Sequence, residues 1–133
     1  MHEDAVISDA LTASVKDLVA VYRFGSTVSG QQHSDSDVDV AVLGRTPLDP
    51  LERFQLQEEL ALRLHRDVDL VDLRRASTVM RMQVVSTGLC FLVADETERD
   101  RFEDYVFAAY ARLNEERRGI LDQIRRDGRV YDG

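Results

Sequence analysis

The chain has 133 residues, with 17 basic against 25 acidic side chains and a formal charge of −8. That length suits a single domain around one core. No apolar run is long enough to span a membrane, and the start, MHEDAVISDAL, carries acids where a secretory signal needs bases. A lone cysteine, Cys90, excludes an internal disulfide or a multi-cysteine zinc site. The acidic balance argues against nonspecific nucleic-acid binding, so the expectation is a cytoplasmic protein with no membrane or direct nucleic-acid contact.

In chain order, Ala5 to Leu18 has the spacing of an amphipathic helix, with Ile7, Leu11, Val15 and Leu18 on one stripe. Val19 to Phe24 is a short apolar run with β-branched and aromatic residues, which predicts a strand ending at Gly25-Ser26. Ser26 to Ser36 reads as a turn region or short helix. Asp37 to Leu43, DVDVAVL, predicts a second strand. A loop holding both prolines leads to a helix over Leu51 to Arg66, with Leu56, Leu60 and Leu64 on one side. Asp67 to Leu73, DVDLVDL, predicts a third strand. A helix over Ser77 to Thr87 stops at Gly88, and Cys90 to Val93 gives a fourth strand.

The last helix is predicted over Glu98 to Arg126. Its apolar stripe runs from Phe102 through Tyr105, Val106, Ala109, Tyr110 and Leu113 to Ile120, Leu121 and Ile124. The tail from Asp127 shows no helical pattern. The order predicts an α/β (α+β) fold, with a small mixed sheet of about four strands flanked by helices. Strands one and two are too close for a crossover and should be antiparallel, whereas two and three flank a helix.

The chemistry concentrates at Gly25-Ser26, followed after ten residues by Asp37-Val38-Asp39. Alternate strand residues share a face, so Asp37 and Asp39 point the same way. Adjacent carboxylates repel unless a cation lies between them. Their hard oxygens suit Mg²⁺, which commonly takes one or two carboxylates together with substrate phosphates. Asp69 adds a third acid in another apolar strand. If the two strands are neighbours, the three carboxylates converge in the layout of metal-assisted phosphoryl or nucleotidyl transfer. Glycine lets the backbone approach a phosphate, and Ser26 can donate to it.

Other motifs fail or stay ordinary. Gly25 and Gly30 have P-loop spacing, but Gln31 and Gln32 replace the required Lys and Ser/Thr. Asp35, Asp37 and Asp39 begin like a calcium loop, but Val40 and Thr46 replace its Gly and Glu. Asp35 suits a turn or cap, and Asp72 alternates away from Asp69. Asp67 shares the Asp69 face and is a second candidate. His33 reads as a loop residue, and Cys90 as a small buried one.

The stretch RFGSTVSGQQHSDSDVDVAVL resembles the signature of the minimal nucleotidyltransferases of the DNA polymerase β superfamily. The continuation LVDLRRASTVMRMQVVSTG is similar to MntA antitoxins of HepT–MntA toxin–antitoxin pairs. The resemblance implies a single nucleotidyltransferase domain over 1–133, with a core at about 5–95 and a long C-terminal helix at about 98–126. It implies transfer of AMP from ATP, with Mg²⁺, to a tyrosine of a HepT-like RNase toxin. Asp37 and Asp39 would hold the metals. Asp69 would complete one site and help deprotonate the attacking hydroxyl. Gly25 and Ser26 would grip the triphosphate, with Ser36 also on the nucleotide. Ser29 departs from relatives that carry Arg or Lys at that position. The last helix, with Tyr105, Tyr110, Arg112, Arg117 and Arg118, is the candidate docking element. Two alternatives stand beside this: transfer to a small molecule such as an antibiotic, and neutralisation by binding alone.

Overall fold

The computed structural model describes residues 2–25 and 37–131, with side chains up to residue 127. The elements are α1 (His2–Ser14), β1 (Leu18–Phe24), β2 (Val38–Gly44), α2 (Pro50–Leu64), β3 (Val68–Asp72), α3 (Thr78–Thr87), β4 (Leu89–Val93) and α4 (Glu96–Tyr131). The strands form one sheet in the order β3-β2-β1-β4. β1 runs antiparallel to both β2 and β4, whereas β2 and β3 are parallel, joined by a crossover through α2. The mixed sheet and both strand orientations agree with the sequence pattern.

The two sheet faces bury separate apolar clusters. On one face, Val21, Val38, Val40, Val42, Val68 and Leu70 pack against Ile7, Leu11 and Val15 from the α1 side, and Leu56 and Leu60 from α2. On the other, Tyr22, Phe24, Ala41 and Leu43 pack against Val84 of α3 and Phe102 and Val106 of α4. Covering both sides explains why the β1 and β2 sequences are almost wholly apolar rather than alternating.

Local chemistry sets the helix ends. Pro50 opens α2, where its missing N–H costs nothing. His65 closes α2 in the left-handed conformation. Ser77 caps α3 by accepting from the Met80 N–H at 3.1 Å. Gly88 ends it, donating its N–H to Val84 O at 2.8 Å. Asp95 Oδ1 accepts from the Glu98 N–H at 3.1 Å at the start of α4.

Three expectations need correction. α1 begins at His2 and ends at Ser14, so Leu18 belongs to β1; once the apolar run at 18–24 pairs on both sides, sheet hydrogen bonding outweighs helical spacing. The tail is not structureless: α4 continues through Asp127 to Tyr131. The apolar stripe of α4 is only half buried. Phe102 and Val106 lie in the core, but Tyr105 is 60% exposed, and Ile120, Leu121 and Ile124 are exposed. The sheet is narrower than a 36-residue helix, so every residue at 115–127 is exposed.

Candidate nucleotidyl-transfer site

The parallel pairing of β2 and β3 sets Asp39 directly opposite Asp69. Residues so paired share a face, so both carboxylates project from the side that carries Ala41 and Val71. Asp37 lies one residue before β2 begins and is exposed, so it stands at the mouth of the strand rather than within it. Its backbone is anchored next door, where the Val38 N–H donates to Asp67 O at 2.9 Å.

The electrostatics tie the trio together. Burial, then the Asp69 carboxylate, then that of Asp37, raise the Asp39 carboxyl above the usual range. None of the three acids has an ion pair or side-chain hydrogen bond among the described residues. By contrast Asp72 and Asp17 are fully engaged. Uncompensated carboxylates held side by side are the donor set a hard divalent cation neutralises. The described residues do not assemble three His, Cys, Asp or Glu side chains into a ready-made ion cage.

Gly25 closes the site from β1. Phe24 pairs with Asp39, so the chain turns out of the strand beside that carboxylate. Gly25 sits at φ +80°, and a Cβ there would run into Asp39 Oδ2, with Cγ at 3.2 Å. Glycine is required twice, for the left-handed backbone and for the close approach. Ser26, His33, Asp35 and Ser36 lie outside the described residues.

The remaining acids separate by partner. Asp72 is buried: its Oδ2 accepts from the Leu48 N–H at 2.8 Å and its Oδ1 from the Arg74 N–H at 3.0 Å. It braces the loop after β2 against β3. Asp67 is exposed, its backbone carbonyl serving β2. Cys90 is half-buried rather than buried, and burial pushes its thiol up, which suits packing rather than nucleophilic chemistry.

Sequence reasoning missed two groups. Arg23 is buried on β1 and binds Asp4 at 2.9 Å, while Glu3 bridges it to Arg66, clamping the α1 start to the sheet. Along the free edge of β3, Arg53, Asp69, Val71 and Arg75 line a groove of about 340 Å³. Nothing in spacing distinguishes Arg75 from the 15 other arginines of the chain, and only the tertiary fold places it in one groove with Asp69.

A mixed sheet with two paired strand carboxylates, and a left-handed glycine against one of them, defines a nucleotidyltransferase scaffold. The chain belongs to the polymerase β nucleotidyltransferase family, whose model matches residues 7–97. Among its relatives is the protein adenylyltransferase MntA of Shewanella oneidensis, 39% identical over 93% of this chain and 88% of that protein. A crystal structure of a toxin–antitoxin with AMP-PNP has a chain 38% identical to this one. It superposes with a TM-score of 0.82 over 93% of this chain and 98% of that one. In the complex of tri-AMPylated Shewanella oneidensis HEPN toxin with MNT antitoxin, the matching chain is 35% identical. Its TM-score is 0.77, over 92% of this chain and 95% of that one.

Proposed function

We propose that this protein is an antitoxin that transfers AMP from ATP to a tyrosine hydroxyl of a cognate HepT-like toxin in the cytoplasm. The observation that carries the reading is the in-register pair Asp39 and Asp69, coupled to Asp37 and closed by Gly25. Similarity to MntA over most of both chains supports the acceptor class.

Asp37, Asp39 and Asp69 are the residues to hold Mg²⁺, which when bound neutralises phosphate charge and favours an ionised acceptor oxygen. Gly25, Ser26 and Ser36 take the nucleotide. The acceptor oxygen bonds to the α-phosphorus of ATP, the bond from that phosphorus to the β-bridging oxygen breaks, and pyrophosphate leaves. Asp69 receives the hydroxyl proton or orients the hydroxyl that loses it. The rest of the chain's contribution is positioning and exclusion of water. The outer part of α4, exposed and bearing Ile120, Leu121 and Ile124, is the surface for the partner.

The test is to incubate the chain with its cognate toxin, ATP and Mg²⁺ and weigh the toxin by mass spectrometry. The expected result is a gain of one or more AMP masses, lost on chelation and in the Asp37→Asn, Asp39→Asn double variant. A tight complex with an unmodified toxin would establish neutralisation by occlusion instead. Labelling of a small molecule but not the toxin would point to the antibiotic-type reaction.

A further inference from the structure

The groove on the free edge of β3 has no assigned role, and it begins at Asp69. Its walls are Arg53 of α2, Leu70 and Val71 of β3, and Arg75 and Leu48 from the flanking loops. It is not built to take an added strand. Leu70 offers its N–H and C=O outward, but Gln57 Oε1 already accepts the first at 2.9 Å. Arg53 Nη1 donates to the second at 2.9 Å. With those groups satisfied, the edge is closed to strand pairing, and what remains is a recess for side chains.

Beyond the Asp69 carboxylate at its start, the free charge of the groove is positive. Asp72 is consumed by the Leu48 and Arg74 N–H groups. Arg75 uses only Nε, donating to Leu48 O at 2.9 Å, with the Asp72 carboxylate 3.9 Å away. Its terminal amino groups have no partner among the described residues, and its side chain is 53% exposed. A guanidinium held by one nitrogen and open at the others is set for bidentate capture of a carboxylate.

Position settles what enters. Transfer at phosphorus needs the attacking and departing oxygens roughly in line. Gly25 lies against Asp39 at the β1 side of β2, whereas Asp69 and the groove lie at the β3 side. A triphosphate tail gripped from β1 therefore leaves toward β1, and the acceptor arrives over β3.

We propose that this groove is the acceptor entrance, and that Arg75, backed by Arg53, binds a carboxylate beside the acceptor hydroxyl of the substrate protein. The inference rests on the transferase reading above and deepens it. The groove selects an acidic acceptor segment, and ATP does not occupy it.

Initial rates with purified toxin, varying toxin and ATP separately, test this in Arg75→Gln and Arg75→Glu. Glutamine keeps a donor for Leu48 O and removes the charge; glutamate reverses it. The expected KM for the acceptor rises about threefold to tenfold in R75Q and beyond about tenfold in R75E, with the KM for ATP within about twofold of the parent. Thermal melts of both variants verify the fold, and R75Q carries the test if R75E fails to fold. An increase in the KM for ATP with the acceptor KM unchanged would make the groove a nucleotide subsite and overturn the proposal. Parent values for both substrates would overturn it equally. A parent enzyme that transfers nothing to the toxin defeats the transferase reading itself, an outcome distinct from either.

Discussion

Gly25→Ala isolates the closest approach in the site. The residue sits at φ +80°, and the added methyl carbon would overlap Asp39 Oδ2, with Cγ at 3.2 Å. Left-handed backbone costs an alanine about 1–2 kcal/mol. The stiffer unfolded chain returns about 0.4–1 kcal/mol, so the net stability loss is on the order of 1 kcal/mol, a fall in Tm of roughly 3–6 °C. The effect on chemistry is larger. Restoring ordinary carbon and oxygen separations moves the Asp39 carboxylate by about 1 Å, and misplacement of that size costs on the order of 100-fold in rate. The assay is AMP incorporation into the toxin at saturating ATP, read beside a melting curve on the same sample. Transfer within about threefold of the parent, with an unchanged Tm, would refute the claim that Gly25 is there to let Asp39 keep its place.

Asp39→Asn should end transfer yet stabilise the metal-free protein. The raised Asp39 carboxyl means that, above its folded-state pKa, the native state carries a charge penalised first by burial and then by the Asp69 and Asp37 carboxylates, a cost the unfolded chain does not bear. That penalty is fully present at neutral pH, shrinks as pH falls through the raised value, and is gone below the ordinary carboxylate range. The gain is seen as a small rise in Tm at pH 7 that vanishes below the ordinary carboxylate range; a fall in Tm at pH 7 would contradict it. Asp72→Ala, in contrast, should leave the buried Leu48 N–H without a partner. Urea unfolding should register a loss of about 2–3 kcal/mol, and a loss below about 0.5 kcal/mol would show that the loop re-satisfies the bond.

Much of this was legible in the residues. Runs such as VAVYRF and DVDVAVL announce strands because buried strands need β-branched and aromatic side chains. The short link between the first two forces them antiparallel, and the helix before DVDLVDL brings the third in parallel. The clustering of Asp37, Asp39 and Asp69 followed from strand alternation on the condition that the second and third strands are neighbours, which the sheet order meets. Gly25 stood out by its position at a strand end, but that its backbone is left-handed and abuts Asp39 is a distance between two strands, which no spacing encodes.

Other features had no local signature. Asp69 and Asp72 are both aspartates on one short strand; one faces the open site and one is a buried brace, because Leu48 and Arg74 approach only Asp72. The stripe of α4 is continuous in sequence, but the sheet beneath it is finite, so Phe102 and Val106 are buried whereas Ile120, Leu121 and Ile124 meet solvent. Helical periodicity reports which residues share a face and carries no information on how far the supporting surface extends. Asp69 gained a neighbour in Asp39 only when the chain crossed from β2 through α2 to β3. The sequence alone thus determined the strands, the orientations of the first three and the identity of the acids. Tertiary structure alone decided which charges are left unpaired, because pairing depends on side chains distant in the chain reaching the same few ångströms of space.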